Sequence, residues 1–498
     1  MNMKKLTLIL SLFSLCMILS AKPVLLSESP CEYMETFVGY DWNEYKSILT
    51  YEEFSSDINQ LCYYLQNAYA GYEGMCGQGF DAAKLKTEFL AGYGGQEKID
   101  TRAAFKFIAD FLEPFISDRH FSIITKMAVF EPVKSSRFFY TNTFVEKSDD
   151  GFYLLQSDSE NLSKGMKFDG ASENLFYYPV KGKNVWRIGI ISVENPKILS
   201  VQFEGKSFLL PVYDDGAIQT SSIRYHELES DDSVYASLSS FWLPEEGSQF
   251  RKGADIVLSK YASLASKYYD KKNIIIDLRG NPGGQAEYSE YLLYSLYTNN
   301  KKEFSWKKLS KYSKWFESYI SNEKWIESPV TIESLFKFNE SLGFHYSELR
   351  KMLEKSRQKP VKKIFGTQKT KPLKKNKNAF PGKIIILIDR NSLSASENTV
   401  VLAKKLFGDN AVIIGEKTGG CCEYLDNIDY MLSNSKVCVH FGSKKNEGMK
   451  YCDSWHGEGF GIYPDYWSIG EDLNDTIFLV TGDSEMKEKL AEIDSRLM

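Results

Sequence analysis

The clearest pattern along the chain is a pair of short, unbroken apolar runs, each ending in polar and glycine residues. The first is Asn273-Ile274-Ile275-Ile276-Asp277-Leu278-Arg279, which opens into Gly280-Asn281-Pro282-Gly283-Gly284. The second is Lys383-Ile384-Ile385-Ile386-Leu387-Ile388-Asp389, followed by Arg390-Asn391-Ser392-Leu393-Ser394-Ala395-Ser396-Glu397. Runs of this length bounded by turn residues predict strands buried on both faces. Gly253 to Tyr269 and Tyr288 to Tyr297 predict helices before and after the first strand, so the alternation is β–α and the sheet mostly parallel. Further upstream, Asp57 to Tyr69 and Thr101 to Phe115 carry apolar residues at three-to-four spacing, which predicts helices. Between them and the first apolar run, segments such as Phe152-Tyr153-Leu154-Leu155 and Val185 to Ile191 predict a β-rich region.

Composition adds four points. The chain has 498 residues and a net charge of only −5, so bulk charge gives no sign of nucleic-acid binding. At the N-terminus, Lys4 and Lys5 precede the apolar stretch Leu6 to Leu19 and the small-residue site Leu19-Ser20-Ala21. That is the layout of a signal peptide cleaved after Ala21, with export to the periplasm or the exterior and no stable membrane span afterwards. Removing Cys16 with it leaves seven of the eight cysteines (8 − 1), an odd number, in an oxidising compartment. Cys438 and Cys452 flank a polar, hairpin-like loop and are the first candidates for a disulfide. No Cys-x-x-Cys or His-rich spacing marks a metal site, and none is expected. From Lys359 to Lys383 there are nine lysines and no acidic residue, which reads as a solvated insertion. The same charge would also suit a gate attracting acidic peptides.

A serine at a strand-to-helix turn is where nucleophiles sit, because the turn's amides and the helix N-terminus stabilise an oxyanion there. The two apolar runs with their polar ends resemble the S41 family of serine peptidases, the tail-specific and tricorn-core proteases. The first run is similar to that family's Asp-Leu-Arg-x-Asn-x-Gly-Gly strand end, and the second to its serine-rich nucleophile turn. The resemblance covers roughly residues 251–300 and 381–470, with a weaker match near 55–125. It implies an α/β fold with a ClpP/crotonase-like core. The division that follows is a signal peptide (1–21), a helical N-terminal region carrying His120 (22–125), a β-rich region (126–250), a peptidase core (251–300 and 381–498) and a Lys-rich insertion (301–380).

The resemblance also implies roles. Ser394 is the nucleophile. Tail-specific members carry a lysine after Gly-Glu-x-Thr-x-Gly; here Gly415-Glu416-Lys417-Thr418-Gly419-Gly420 is followed by Cys421, and Lys417 lies on the wrong side of Thr418. The tricorn-like branch takes a histidine from far upstream instead, and His120 in Ser117-Asp118-Arg119-His120 fits it. Glu458 in Glu458-Gly-Phe-Gly461-Ile-Tyr-Pro464-Asp465 resembles that branch's late glutamate and would orient His120 or hold a water. The amides of Gly283 or Gly284, with that of Ala395, would form the oxyanion hole. Asp277 and Arg279 would brace the turn as a bidentate pair. The expected activity is hydrolysis of peptide bonds in a peptide or protein substrate, without a cofactor. The alternative is a non-catalytic module on the same core, binding a hydrophobic ligand or a peptide. An esterase would usually carry Gly-x-Ser-x-Gly, which the Ser394 turn lacks.

Overall fold

The computed structural model describes residues 24–25, 42–214, 223–244, 246–305, 323–327, 362–367, 376–446, 449 and 452–497. The fold is mixed α/β, with three large sheets. The expected signal peptide and most of the Lys-rich insertion lie outside the described residues.

Both isoleucine runs are strands of one six-stranded sheet, Asn273–Asp277 and Lys383–Ile388. The order is Tyr225–Glu229, Ser233–Leu238, Asn273–Asp277, Lys383–Ile388, Ala411–Gly415, Tyr466–Trp467; the first pair is antiparallel and the rest parallel. Unbroken apolar runs make sense because both faces are covered. Ile274, Ile276, Ile384 and Ile386 pack among the helices Arg251–Ala262, Glu287–Thr298 and Ala395–Phe407, while Ile275, Ile385 and Leu387 face Leu473 and Ile477. The register pairs Asp277 with Leu387 and Leu387 with Ile414. The carboxyl ends of three strands therefore finish level, and the turns after Asp277, Ile388 and Gly415 emerge side by side. Open parallel sheets place their sites at that edge.

The helix expected over Gly253 to Tyr269 is two, Arg251–Ala262 and Leu264–Tyr268. Ser263 breaks it: its hydroxyl donates to the Ser259 carbonyl and accepts the Phe304 amide. A serine offering its own hydrogen bonds competes with the helical ladder.

The β-rich region is a seven-stranded antiparallel sheet running from Lys206–Pro211 at one edge to Leu175–Tyr177 at the other, with Val145, Leu154, Ile188 and Val201 in its core. The N-terminal helices Tyr51–Ala68 and Thr101–Leu112 are capped by Thr50, in a capping box with Glu53, and by Asp100. They do not pack on their own segment alone. Their apolar face meets a hairpin from much later in the chain, Tyr424–Met431 and Cys438–Asn446, in one core that joins Phe54, Ile58 and Ile108 to Tyr430, Val439 and Phe441. The strand Ser122–Thr125 pairs with that hairpin, Ile123 opposite Val439 and Ser122 opposite His440. Buried Asp57 holds the hairpin's turn by accepting the amides of Asn434 and Ser435 at 3.0 and 2.8 Å. The hairpin thus leaves the parallel core and carries the N-terminal region to its edge.

Candidate active site

The first strand's end is built by side chains that hold the backbone. Arg279 grips Asp277 bidentately, Nε to Oδ1 at 3.0 Å and Nη2 to Oδ2 at 2.7 Å, and Asp277 also accepts the Tyr235 hydroxyl at 2.7 Å. The bracing role expected of that pair is what the geometry shows. Asn281 donates to the Leu238 carbonyl and accepts the Gly283 amide at 2.9 Å. Two glycines follow because nothing larger fits. A Cβ on Gly283 (φ +95°) would stand 2.8 Å from the Ser394 Cβ, and one on Gly284 (φ +127°) 2.3 Å from the Phe241 carbonyl carbon. The glycine turn therefore lies directly against the Ser394 turn, and the Leu393 amide donates to the Asn281 carbonyl.

The three serines of the second turn divide cleanly. Ser392 and Ser396 are fully buried, and their hydroxyls donate to the Leu278 and Asn281 carbonyls at 2.8 and 2.9 Å. Ser394 is half-buried, and its side chain forms a capping box with Glu397 at the start of the helix Ala395–Phe407 rather than donating to a buried carbonyl. Its backbone sits at φ 52°, ψ −113°, a conformation costing a non-glycine residue about 1–3 kcal/mol and typical of functional turns. Buried Glu397 holds that turn in place. Its carboxylate accepts the Ser394 amide (3.0 Å), the Thr418 hydroxyl (2.5 Å) and the amides of Gly420 (2.9 Å) and Cys421 (2.7 Å). Burial pushes the Glu397 pKa up while these donors pull it down. The Ala395 amide opens the helix Ala395–Phe407, and it and the Gly284 amide carry no acceptor among the described residues. The Gly283 amide is committed to Asn281. Of the amides singled out for an oxyanion, Gly284 and Ala395 are the two left free, and Gly283 instead provides the close approach.

His120 ends the loop after the second N-terminal helix. Its side chain is 12% exposed, and its Nδ1 is buried without a hydrogen-bond partner, 3.6 Å from Asp118 Oδ1. Burial lowers its pKa below the ordinary imidazole value, with Asp118 opposing. Asp118 is fully buried and accepts the amides of His120 (2.8 Å) and Gly442 (3.0 Å). Glu458 accepts the amides of Arg119 (3.0 Å), Cys422 (3.0 Å) and Glu423 (2.5 Å). Burial, and then the neighbouring Asp118, raise its pKa well above the usual carboxylate range. Ser394, His120 and Glu458 are thereby joined by one run of contacts. Ser394 is tied to Glu397, Glu397 to Cys421, the next residues Cys422 and Glu423 to Glu458, and Glu458 to Arg119 beside His120.

Lys417 is buried and its ammonium donates to the Thr418 carbonyl at 2.6 Å; burial lowers its pKa, against the pull of Glu416. Cys421 fills the position after the glycine pair as a buried thiol with its pKa well raised by burial. The expected Cys438–Cys452 disulfide is not formed: both cysteines are free. Cys438 opens a strand paired with the N-terminal region, whereas Cys452 packs in the parallel-sheet core with Cys422. Sequence spacing suggested a hairpin between them, but that hairpin lies one strand earlier. A cavity of about 90 Å³ opens at the same sheet edge between Phe138, Arg279, Arg390 and Glu416; Ser394 is not part of its wall. Among the described residues no group of three or more His, Cys, Asp or Glu side chains is arranged to hold a metal. Nor is any helix among them long and apolar enough to cross a membrane.

The carboxylates that hold the loops were the least visible in sequence. Glu397 stood in the nucleophile motif and Asp118 two residues before His120, but only the fold shows what each grips.

Residues 235–424 match the family model described as Peptidase family S41. No curated protein is significantly similar to the chain. Among solved structures, mature CPAF complexed with lactacystin is 15% identical, with 90% of this chain and 98% of that one covered and a TM-score of 0.41. The photosystem II D1 C-terminal processing protease is 12% identical, covering 88% and 98%, with a TM-score of 0.35. The tricorn protease is 11% identical, covering 84% of this chain and 34% of that one, with a TM-score of 0.32. The family match spans the glycine turn and Ser394 but includes neither His120 nor Glu458.

Proposed function

We propose that the chain, whose residues 235–424 match the peptidase S41 family model, is an exported serine-type peptidase cleaving peptide or protein substrates through Ser394. The Ser394 hydroxyl attacks the scissile carbonyl. His120 takes its proton and returns it to the leaving amine, giving an acyl-enzyme that water then hydrolyses through the same base. The Gly284 and Ala395 amides receive the oxyanion, where one such donor is typically worth about 2.7–4 kcal/mol. Glu458 supports the base by holding its loop through the Arg119 amide. A histidine kept neutral by burial suits a base.

The observation that carries this reading is the singling out of Ser394. It alone of the three serines does not donate its hydroxyl to a buried backbone carbonyl, and it stands on a strained turn against two glycines and a helix N-terminus. A non-catalytic binder would have no use for that strain. The test is a fluorophosphonate probe on the purified protein, with the adduct located by mass spectrometry. Labelling is expected on Ser394 and lost in Ser394→Ala. An adduct on Ser392 or Ser396, or none, would overturn the assignment.

A further inference from the structure

Two buried carboxylates stand near His120, and their contacts differ in kind. Glu458 spends both oxygens on three backbone amides from two chain segments, and none of these contacts is with the imidazole. Asp118 also accepts two amides, but one is the amide of His120 itself, and its Oδ1 faces the ring at 3.6 Å from Nδ1. That ring nitrogen is one of few buried polar atoms in the described structure without a partner. A buried imidazole nitrogen with nothing to bond to pays its desolvation without return, so the arrangement favours closing the gap. The remaining distance is less than about 1 Å beyond hydrogen-bond length, and catalytic contacts commonly tighten only when substrate is bound.

We propose that Asp118 is the carboxylate that orients His120, receiving a hydrogen bond from Nδ1–H and leaving Nε2 bare toward Ser394, while Glu458 acts on the backbone of the loop. The proposal rests on the reading of Ser394 as nucleophile and His120 as base. Asp118 is a positioning residue. It fixes the tautomer and stabilises the imidazolium formed when His120 takes the serine proton, without itself becoming protonated. Its own place is secured from both sides, by the His120 amide within the loop and by the Gly442 amide on the strand Cys438–Asn446. That strand also brings His440, which is held by Asp429 at 2.7 Å. The charges around the imidazole are therefore Asp118, which favours its protonated form, and Arg119 and His440, which oppose it.

The experiment follows the fluorophosphonate labelling rate of Ser394 against pH in the full chain. Asp118→Asn is expected to lower the plateau rate by about 10²-fold or more. It should also move the acid-side midpoint to lower pH, because the anion that favours imidazolium is gone. Glu458→Gln should lower the rate while leaving that midpoint where it was. Asp118 also holds two amides, so the wild-type protein supplies a check free of folding effects: nitrogen NMR should find neutral His120 protonated at Nδ1. A wild-type Nε2–H tautomer would overturn the proposal. So would Asp118→Asn labelling within about twofold of wild type, or an acid midpoint that follows Glu458 rather than Asp118. The outcomes separate the two readings. If His120→Ala labels as fast as wild type, the base assignment fails; if it does not label while Asp118→Asn does, only the role of Asp118 fails.

Discussion

The Ser394 turn and the His120 loop are held by different means. Ser394 stands on a scaffold of regular structure. Its strand is paired on both sides, its helix starts at the next residue, and the glycine turn of the neighbouring strand touches its Cβ. The register of a parallel sheet buried on both faces sets its position. The His120 loop is irregular, though it leads directly into the paired strand Ser122–Thr125. Within the loop, two buried carboxylates bind backbone amides distant in sequence, Asp118 to Gly442 and Glu458 to Cys422 and Glu423. A turn fixed by packing tolerates the loss of single contacts, because many others remain. A loop held by a few buried hydrogen bonds shifts when one is removed, since the remaining groups are left unsatisfied in a low dielectric.

That contrast can be broken in three places. The largest effect is expected from His120→Ala, which should lower the rate of Ser394 labelling and of hydrolysis of any cleaved peptide by roughly 10²–10⁴-fold. Circular dichroism should stay native. Activity that falls equally in Lys417→Met, with an unaltered pH profile in His120→Ala, would move the base to the lysine. Glu458→Gln comes next. The amide can no longer accept on both sides, so either the Arg119 amide or the Cys422 and Glu423 amides lose their acceptor, and thermal unfolding should drop in step with about 1–3 kcal/mol. Hydrogen exchange at Arg119 and Glu423 should quicken, with Ser394's neighbours unchanged; uniform quickening through the Ala395–Phe407 helix would show that the two regions are one unit. Ser396→Ala should matter least. It removes one buried hydrogen bond, about 0.5–1.5 kcal/mol, while the Asn281 carbonyl still accepts the Leu393 amide. Labelling should persist, and its loss would mean that the turn is less rigid than its packing implies.

How much was legible follows from the same contrast. The two isoleucine strands, the β–α alternation and the bracing of Arg279 by Asp277 could be read directly, because each depends on residues close in sequence. Ser394 was singled out among three serines by its motif position alone. That Ser392 and Ser396 are occupied elsewhere, and that the Gly283 amide is taken by Asn281, could not be read. The Cys438–Cys452 pairing failed for a related reason: spacing suggested a hairpin, but Cys438 lies in the strand paired with Ser122–Thr125 and Cys452 packs in the parallel-sheet core.

By itself the sequence determined the local chemistry: buried strands from unbroken apolar runs, glycines where chains must touch, and a serine at a helix start. Only the tertiary structure decided which distant segments meet. The hairpin Tyr424–Asn446 packs on helices near the N-terminus rather than on the sheet it follows, and its second strand pairs with Ser122–Thr125 just after His120, while Glu458 ties Arg119 to Cys422 and Glu423. Burial of apolar surface drives that packing without regard to sequence distance. The buried carboxylates of Asp118 and Glu458 then select one arrangement, because any other would leave charge or amides unpaired away from water.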